Sequence, residues 1–297
     1  MLLNKRIPFF YIFNKVKVEL IFVLLIGLLV YFVTNKLGSF LPVMPLTIPA
    51  FIGTAISILL SFQLNQSYER WWEARRLWGS IVNNSRSLVL QLQAFIDEGN
   101  ETVIKKIAYR QIGWCYVLGQ TLRGQNPTDN IESFLSADEL NVTKLHTNKP
   151  LAILQFHALD ISKLKEGNQL DRLSHIQIDE TLVRLCDAMG GTERIKSTVF
   201  PVTYRIFLHL MIYLFVITLA ISLKDVIIYF ELPLLVVISA AFLLLEKTAT
   251  YMQDPFNNQP TDTPVTAIAR NIEINIRQLL RETEVPEPQK PSDFYLL

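Results

Sequence analysis

Four apolar runs, at residues 18–35, 46–64, 206–223 and 226–245, constrain this chain more than anything else in it. A hydrocarbon layer of about 30 Å takes about 20 apolar residues at helical rise, and each run fits that length. The first follows basic residues as a signal peptide would, yet it is too long for a signal's apolar centre and no small-residue cleavage site follows it. Half of all residues are apolar, rich for a soluble protein, and the excess sits in these runs while the middle has ordinary soluble composition. The expected class is all-α: four transmembrane helices with a helical cytosolic domain. The division expected is 1–64 for a basic segment with membrane helices 1 and 2 and 65–200 for the cytosolic domain. Membrane helices 3 and 4 take 201–246, and a cytosolic helix with an extended tail takes 247–297.

Basic residues set the orientation. Lys5, Arg6, Lys15 and Lys17 precede the first run, Arg70, Arg75 and Arg76 follow the second, and Lys247 follows the fourth; the outer loops carry only Lys36 and Lys224, the latter balanced by Asp225. Both termini are therefore expected on the cytoplasmic side of a cell membrane. The sequons at Asn65, Asn83, Asn100 and Asn141 then face the cytoplasm and read as chance matches.

In the middle, residues at helical spacing (Trp71, Trp78, Ile81, Leu88, Leu92) predict a helix over 66–96 that continues the second membrane helix. Further helices are expected over 101–122, 151–164 and 176–189, with a loop from Gly124 to Asn130 and with Gly190-Gly191 ending the last helix. An amphipathic helix is expected over 264–281. The tail with Pro286, Pro288 and Pro291 is expected to be extended, either mobile or bound along a neighbouring surface.

Chemistry-bearing residues are few. Cys115 and Cys186 fit no disulfide or metal pattern and read as small buried side chains. His146, His157, His175 and His209 are scattered, and no nucleophile elbow, zinc motif or phosphate loop is present, so an enzyme is not expected. A net charge of +1 gives no reason to expect nucleic acid. Within the membrane runs, Glu231 and His209 stand out, each close enough to an interface to be solvated. In the second run Thr54, Ile58 and Phe62 recur every fourth residue as one narrow stripe. Such a stripe ordinarily packs against another helix; alternatively it lines a hydrophobic constriction, which requires several chains in a closed ring.

The continuous segment from Phe62 to Gly79, with Ser67, Tyr68, Arg70, Trp71, Trp72, Glu73 and Arg75 at its heart, resembles the signature of the bestrophins, especially their shorter prokaryotic members. Glu193-Arg194-Ile195 with Pro201, and Asp254-Pro255-Phe256 after the fourth run, extend the likeness over most of the chain. The resemblance implies a homopentameric channel with one central pore. The second helix of each copy would line a neck at Thr54, Ile58 and Phe62, where relatives more often carry a larger apolar residue in place of Thr54. It also implies a cytosolic aperture at Leu170 or Ile176. Arg70, Glu73 and Arg75 read as a structural network beneath the neck, within one copy or shared between copies, rather than as direct ion contacts. Animal members bind calcium through an acidic cluster after Asp-Pro-Phe; here Asn257–Asp262 retains one carboxylate, so no cofactor is expected. Expected partners are copies of the chain, monovalent ions and membrane lipid. The expected function is passive conduction of monovalent ions, chloride by family default, with sodium or potassium as the alternative. A membrane scaffold or receptor is the alternative of another class.

Overall fold

The computed structural model describes residues 1–297 apart from residues 3, 4, 6, 38–43, 98, 199 and 200 and the side chain of Leu37. Arg6, one of the basic residues used above for orientation, lies outside the described residues. Among those described the secondary structure is helical: α1 (Phe9–Leu37), α2 (Thr47–Phe95), α3 (Glu101–Leu122), α4 (Ala137–Leu145), α5 (Lys149–Glu166), α6 (Arg172–Ser197), α7 (Val202–Ser222), α8 (Ile228–Gln253) and α9 (Val265–Leu279). Four of them, α1, α2, α7 and α8, are long and apolar enough to cross a membrane. The chain is a multi-pass membrane protein.

Two compact units account for the chain. One comprises Lys5–Arg70 and Val199–Gln253, and so holds α1, the first part of α2, α7 and α8. Its core is a seam of branched and aromatic side chains including Val23, Ile56, Ile212, Val216, Leu235 and Leu243. Small residues let the helices approach closely, as membrane helices do. A Cβ on Gly27 would stand 2.9 Å from the tips of Leu232 and Leu235, and one on Gly53 would stand 3.2 Å from the Phe215 ring.

This unit corrects the account of its charges. His209 pairs with the buried Glu246 at 3.3 Å, and Glu19 bridges to Lys247 at 2.6 Å. Lys15 lies 3.9 Å from the centre of the Tyr251 ring. Lys247, read above as lying beyond the last membrane run, sits inside α8, which runs on to Gln253. Glu231 is buried at 1% exposure rather than solvated, because the first turn of α8 packs it inward.

The other unit comprises Met1–Asn4, Trp71–Thr198 and Asp254–Leu297. Its α3 is buried along most of its length, and Trp78, Trp114, Ile112, Leu118, Phe256 and Ile272 belong to the core around it. Arg110 is sunk in that core, where its Nη2 donates to Glu139 on α4 and to Asp160 on α5, the latter at 2.6 Å. Burial works against the Asp160 carboxylate, but hydrogen bonds from Arg110 and Lys106 outweigh it and hold the group below its ordinary range.

Several local expectations change. Gly190-Gly191 does not end α6, which continues to Ser197. The missing Cβ of Gly191 instead admits Leu77, whose methyl carbon would stand 2.9 Å from it. The helix α4, absent from the expectations, is started by a capping box in which Ser136 and Glu139 satisfy each other's backbone N–H. Cys115 is buried but Cys186 is exposed, since it lies on the outer face of α6 beside the buried Leu185. The proline-containing tail is bound within its own unit: Leu296 N–H donates to the Met1 carbonyl at 2.9 Å, and Ala267 N–H donates to Leu297 O at 3.0 Å.

Candidate functional site

Helix α2 is 49 residues long, roughly 70 Å at helical rise, more than twice what a hydrocarbon layer needs. Pro49 stands in its first turn, where a proline costs no helical hydrogen bond. Beyond that turn no proline interrupts it, so the apolar run passes into Tyr68–Trp72 as one helix. In its membrane part Ile56, Leu60, Gln63 and Ser67 are buried at alternating spacings of four and three.

Thr54, Ile58 and Phe62 fall on the exposed side of the same helix, Ile58 at 54% and Phe62 at 65% exposure. The hydroxyls along this stretch bond to their own helix: Thr54 Oγ1 donates to the Ala50 carbonyl at 2.9 Å and Ser57 Oγ to that of Gly53 at 2.8 Å. One chain thus presents an uncharged, largely apolar stripe that it does not cover with its own helices. The exposed surface continues past it through Asn65, Gln66 and Glu69, with Asn65 donating to Glu69 at 3.3 Å.

The aromatic and basic segment that follows reaches other elements rather than forming one mutual network. Arg70 Nε donates to the Gln253 carbonyl at the end of α8 (3.0 Å), and Ser67 Oγ donates to the Gln63 carbonyl (2.7 Å). Trp71 Nε1 donates to the Thr261 carbonyl at 3.0 Å, while Trp72 and Tyr68 remain exposed. Glu73 accepts from Arg194 on α6 at 2.8 Å. Within the single chain Arg75 has no hydrogen-bond partner among the described residues, while Arg70 and Glu73 bond to separate elements. Asp254 accepts from Lys196 Nζ at 2.6 Å and from the Phe256 N–H at 3.1 Å. Phe256 is fully buried and its carbonyl also accepts from Lys196, while the Pro255 carbonyl accepts from Thr263 N–H. Asp-Pro-Phe is therefore a fastening of the post-α8 turn onto the end of α6. Lys196, which carries that fastening, lies one residue beyond the Glu193-Arg194-Ile195 motif and had no sequence signal of its own.

The two candidates for the aperture separate. Leu170 is 4% exposed and packed in the core just before the Asp171 cap of α6. Ile176 is 46% exposed on α6. In the stretch after Asp-Pro-Phe, Asp262 is fully buried and its Oδ2 accepts from Gln259 N–H at 3.0 Å. Burial pushes its carboxyl up to about 6. Among the described residues no three His, Cys, Asp or Glu side chains are placed to share a metal ion.

The sequence pattern of the bacterial and fungal bestrophin proteins matches residues 10–278. The chain belongs to the bestrophin family. It is 30% identical over 246 residues to the voltage-dependent anion channel-forming protein YneE of Escherichia coli K12, covering 83% of this chain and 80% of that protein. The Salmonella typhi protein of the same name is 31% identical over 247 residues, with the same coverage. The crystal structure of a bacterial bestrophin homolog from Klebsiella pneumoniae superposes with a TM-score of 0.85 at 25% identity, covering 91% of this chain and all of that one. As a bestrophin, the chain has its Phe62–Gly79 signature on the helix that carries the exposed stripe.

Proposed function

We propose that this bestrophin is one subunit of a homopentameric channel that passes monovalent anions, chloride foremost, through a neck lined by Thr54, Ile58 and Phe62. The observation that carries the reading is the stripe itself: three residues at one helical spacing, uncharged and left bare by a chain whose opposite helix face is well packed. A ring of copies would enclose that stripe, and an apolar constriction gates by dewetting. The names of the Escherichia and Salmonella relatives supply the sign of the ion. Both termini lie in the cytoplasm under this reading, and Ile176 lines the cytosolic aperture. No cofactor is proposed: a calcium clasp takes several carboxylate and carbonyl oxygens, and the stretch after Asp-Pro-Phe keeps one carboxylate, the buried Asp262.

Cation conduction is the second reading, and Glu69 favours it. That carboxylate is exposed on α2 about two turns beyond Phe62, where it would raise the local concentration of cations. Reversal potentials in liposomes holding the purified protein, taken under separate chloride and sodium or potassium gradients, decide between the two. Tracking of the chloride gradient supports the proposal, tracking of the cation gradient replaces it with the second reading, and no flux under either leaves a scaffold. Ile58→Ala and Phe62→Ala should change conductance or gating strongly. Trp114→Ala, in the core of the other unit, should lower stability by about 3–5 kcal/mol without altering the conductance of the protein that folds. Equal effects at all three positions would remove the neck assignment.

A further inference from the structure

Inside the membrane-spanning unit, Glu246 of α8 is 1% exposed. Its Oε1 accepts from the Thr250 hydroxyl at 2.8 Å, while its Oε2 faces Nε2 of His209 on α7 at 3.3 Å. Neither of these two facing atoms has a completed hydrogen bond to any other group. A carboxylate enclosed this far is costly unless a cation or enough donors serve it. Among the described residues His209 is the only side chain able to carry positive charge that stands in ion-pair contact with Glu246.

The neighbouring charges are engaged elsewhere. Lys247 of α8 bridges to Glu19 of α1 at 2.6 Å, and Lys15 of α1 lies 3.9 Å from the centre of the Tyr251 ring. Tyr213, one turn beyond His209 on α7, stands in the field of Glu19, Glu246 and Lys247 as an uncharged phenol. The groups that α1, α7 and α8 bring together thus leave Glu246 to the histidine. A neutral imidazole has one ring proton: carried on Nδ1, it turns a lone pair of Nε2 against Oε2; carried on Nε2, it gives a neutral hydrogen bond. The imidazolium has a proton on both nitrogens, and the same contact becomes a charge-assisted bond about twice as strong. Nε2 is buried while the side chain as a whole is 31% exposed, so a proton can enter at the open edge of the ring without the helices parting.

We propose that His209 and Glu246 form a latch between α7 and α8 that a single proton closes. The proton comes from solvent and binds the imidazole, and no other bond changes. The imidazolium then holds the buried carboxylate across the two helices; loss of the proton removes the charge from that bond and loosens α7 against α8. Acid firms this part of the bundle and base relaxes it. The latch stands on this contact alone and needs no ion flux.

The test is thermal melting of the full chain in lipid nanodiscs at about pH 5.5 and about pH 8, on either side of the range in which histidines change charge. His209→Gln, a permanently uncharged donor, should melt about 3–6 °C below the parent in acid, and that gap should close by at least about half in base. Asp262 and the other carboxyls titrate in parent and variant alike, so they cancel from the gap. In a Glu246→Gln background, His209→Gln should have the same small effect at both pH values. Glu246→Gln alone keeps the test decisive if the His209 variant misfolds: it should melt below the parent in acid and no lower than the parent in base, where it removes a buried charge that the neutral histidine serves poorly. The latch is overturned if the His209→Gln gap is equal at both pH values, if its pH-dependent part survives Glu246→Gln, or if Glu246→Gln stands in the same relation to the parent in acid and in base. The melts judge it whether or not the chain conducts ions.

Discussion

Asp262 shows how one side chain can record what a family position has become. Where animal relatives cluster carboxylates, this chain buries a single one behind the Asp254–Phe256 turn, and burial raises it from 3.8 to about 6. A carboxyl whose folded value lies above its unfolded one contributes most stability at low pH, and that contribution is lost as pH rises through about 6. Asp262→Asn keeps an acceptor for Gln259 N–H and removes the buried charge. Its melting temperature should exceed the parent's at pH 7–8, by an amount corresponding to about 2–3 kcal/mol, and converge with it below about pH 4. An equal gap at both pH values would mean that the charge is not the cause. At Thr54 the expected outcome is functional. Its hydroxyl proton is committed to the Ala50 carbonyl, which leaves oxygen lone pairs to hold water in the proposed neck. Thr54→Ile should therefore dry the outer ring and lower unitary conductance several-fold. Unchanged conductance would place Thr54 off the pore.

Helix α6 carries the clearest misreading and the cleanest control for it. Two adjacent glycines read as a stop, because glycine costs about 1 kcal/mol in a helix interior and favours ends. The chain accepts that cost at Gly191 to let α6 lie against Leu77, whereas Gly190 meets nothing within 4 Å. Gly191→Ala should destabilise by about 1–3 kcal/mol, and Gly190→Ala should be neutral or stabilising by up to about 1 kcal/mol in thermal melts. Similar losses at both would show that conformational freedom, not close approach, is what the pair supplies. The same logic separates what could be read from sequence elsewhere. The range of α3 was legible because apolar residues at helical spacing fill it and the Gly124–Asn130 loop signal follows it. The helix α4 is nine residues with little apolar pattern, and only its Ser136–Glu139 cap announced it. The shared exposure of Thr54, Ile58 and Phe62 was legible because exposure along a helix follows its period. The burial of Leu170 could not be read by counting, since it depends on how the turn before α6 meets the core. The pairing of Glu19 with Lys247 and of His209 with Glu246 was invisible for a similar reason: it joins residues far apart in sequence through helices longer than the runs that betrayed them.

At the scale of the whole molecule, the question is what covers the bare side of α2. A lone chain in lipid would leave Phe62 and Ile58 facing acyl chains, while Asn65, Gln66 and Glu69 on the same exposed surface would suit water far better. The proposed closed ring would resolve the conflict by turning that face toward an enclosed aqueous path. The native mass of the purified protein should then be five times the 34.1 kDa chain after correction for detergent. Cysteine chemistry can test the arrangement at the neck. Cys115 will not interfere: burial pushes its thiol up to about 12, so it is neither accessible nor a thiolate near neutral pH. Cys186 is exposed and must first be replaced by serine. In that background Ile58→Cys should cross-link between copies under a short bifunctional thiol reagent and give a ladder that stops at five. The same reagent should leave Leu60→Cys uncoupled, since Leu60 is buried within its own chain. A ladder of another length would change the subunit count, and equal cross-linking at residues 58 and 60 would remove the central ring.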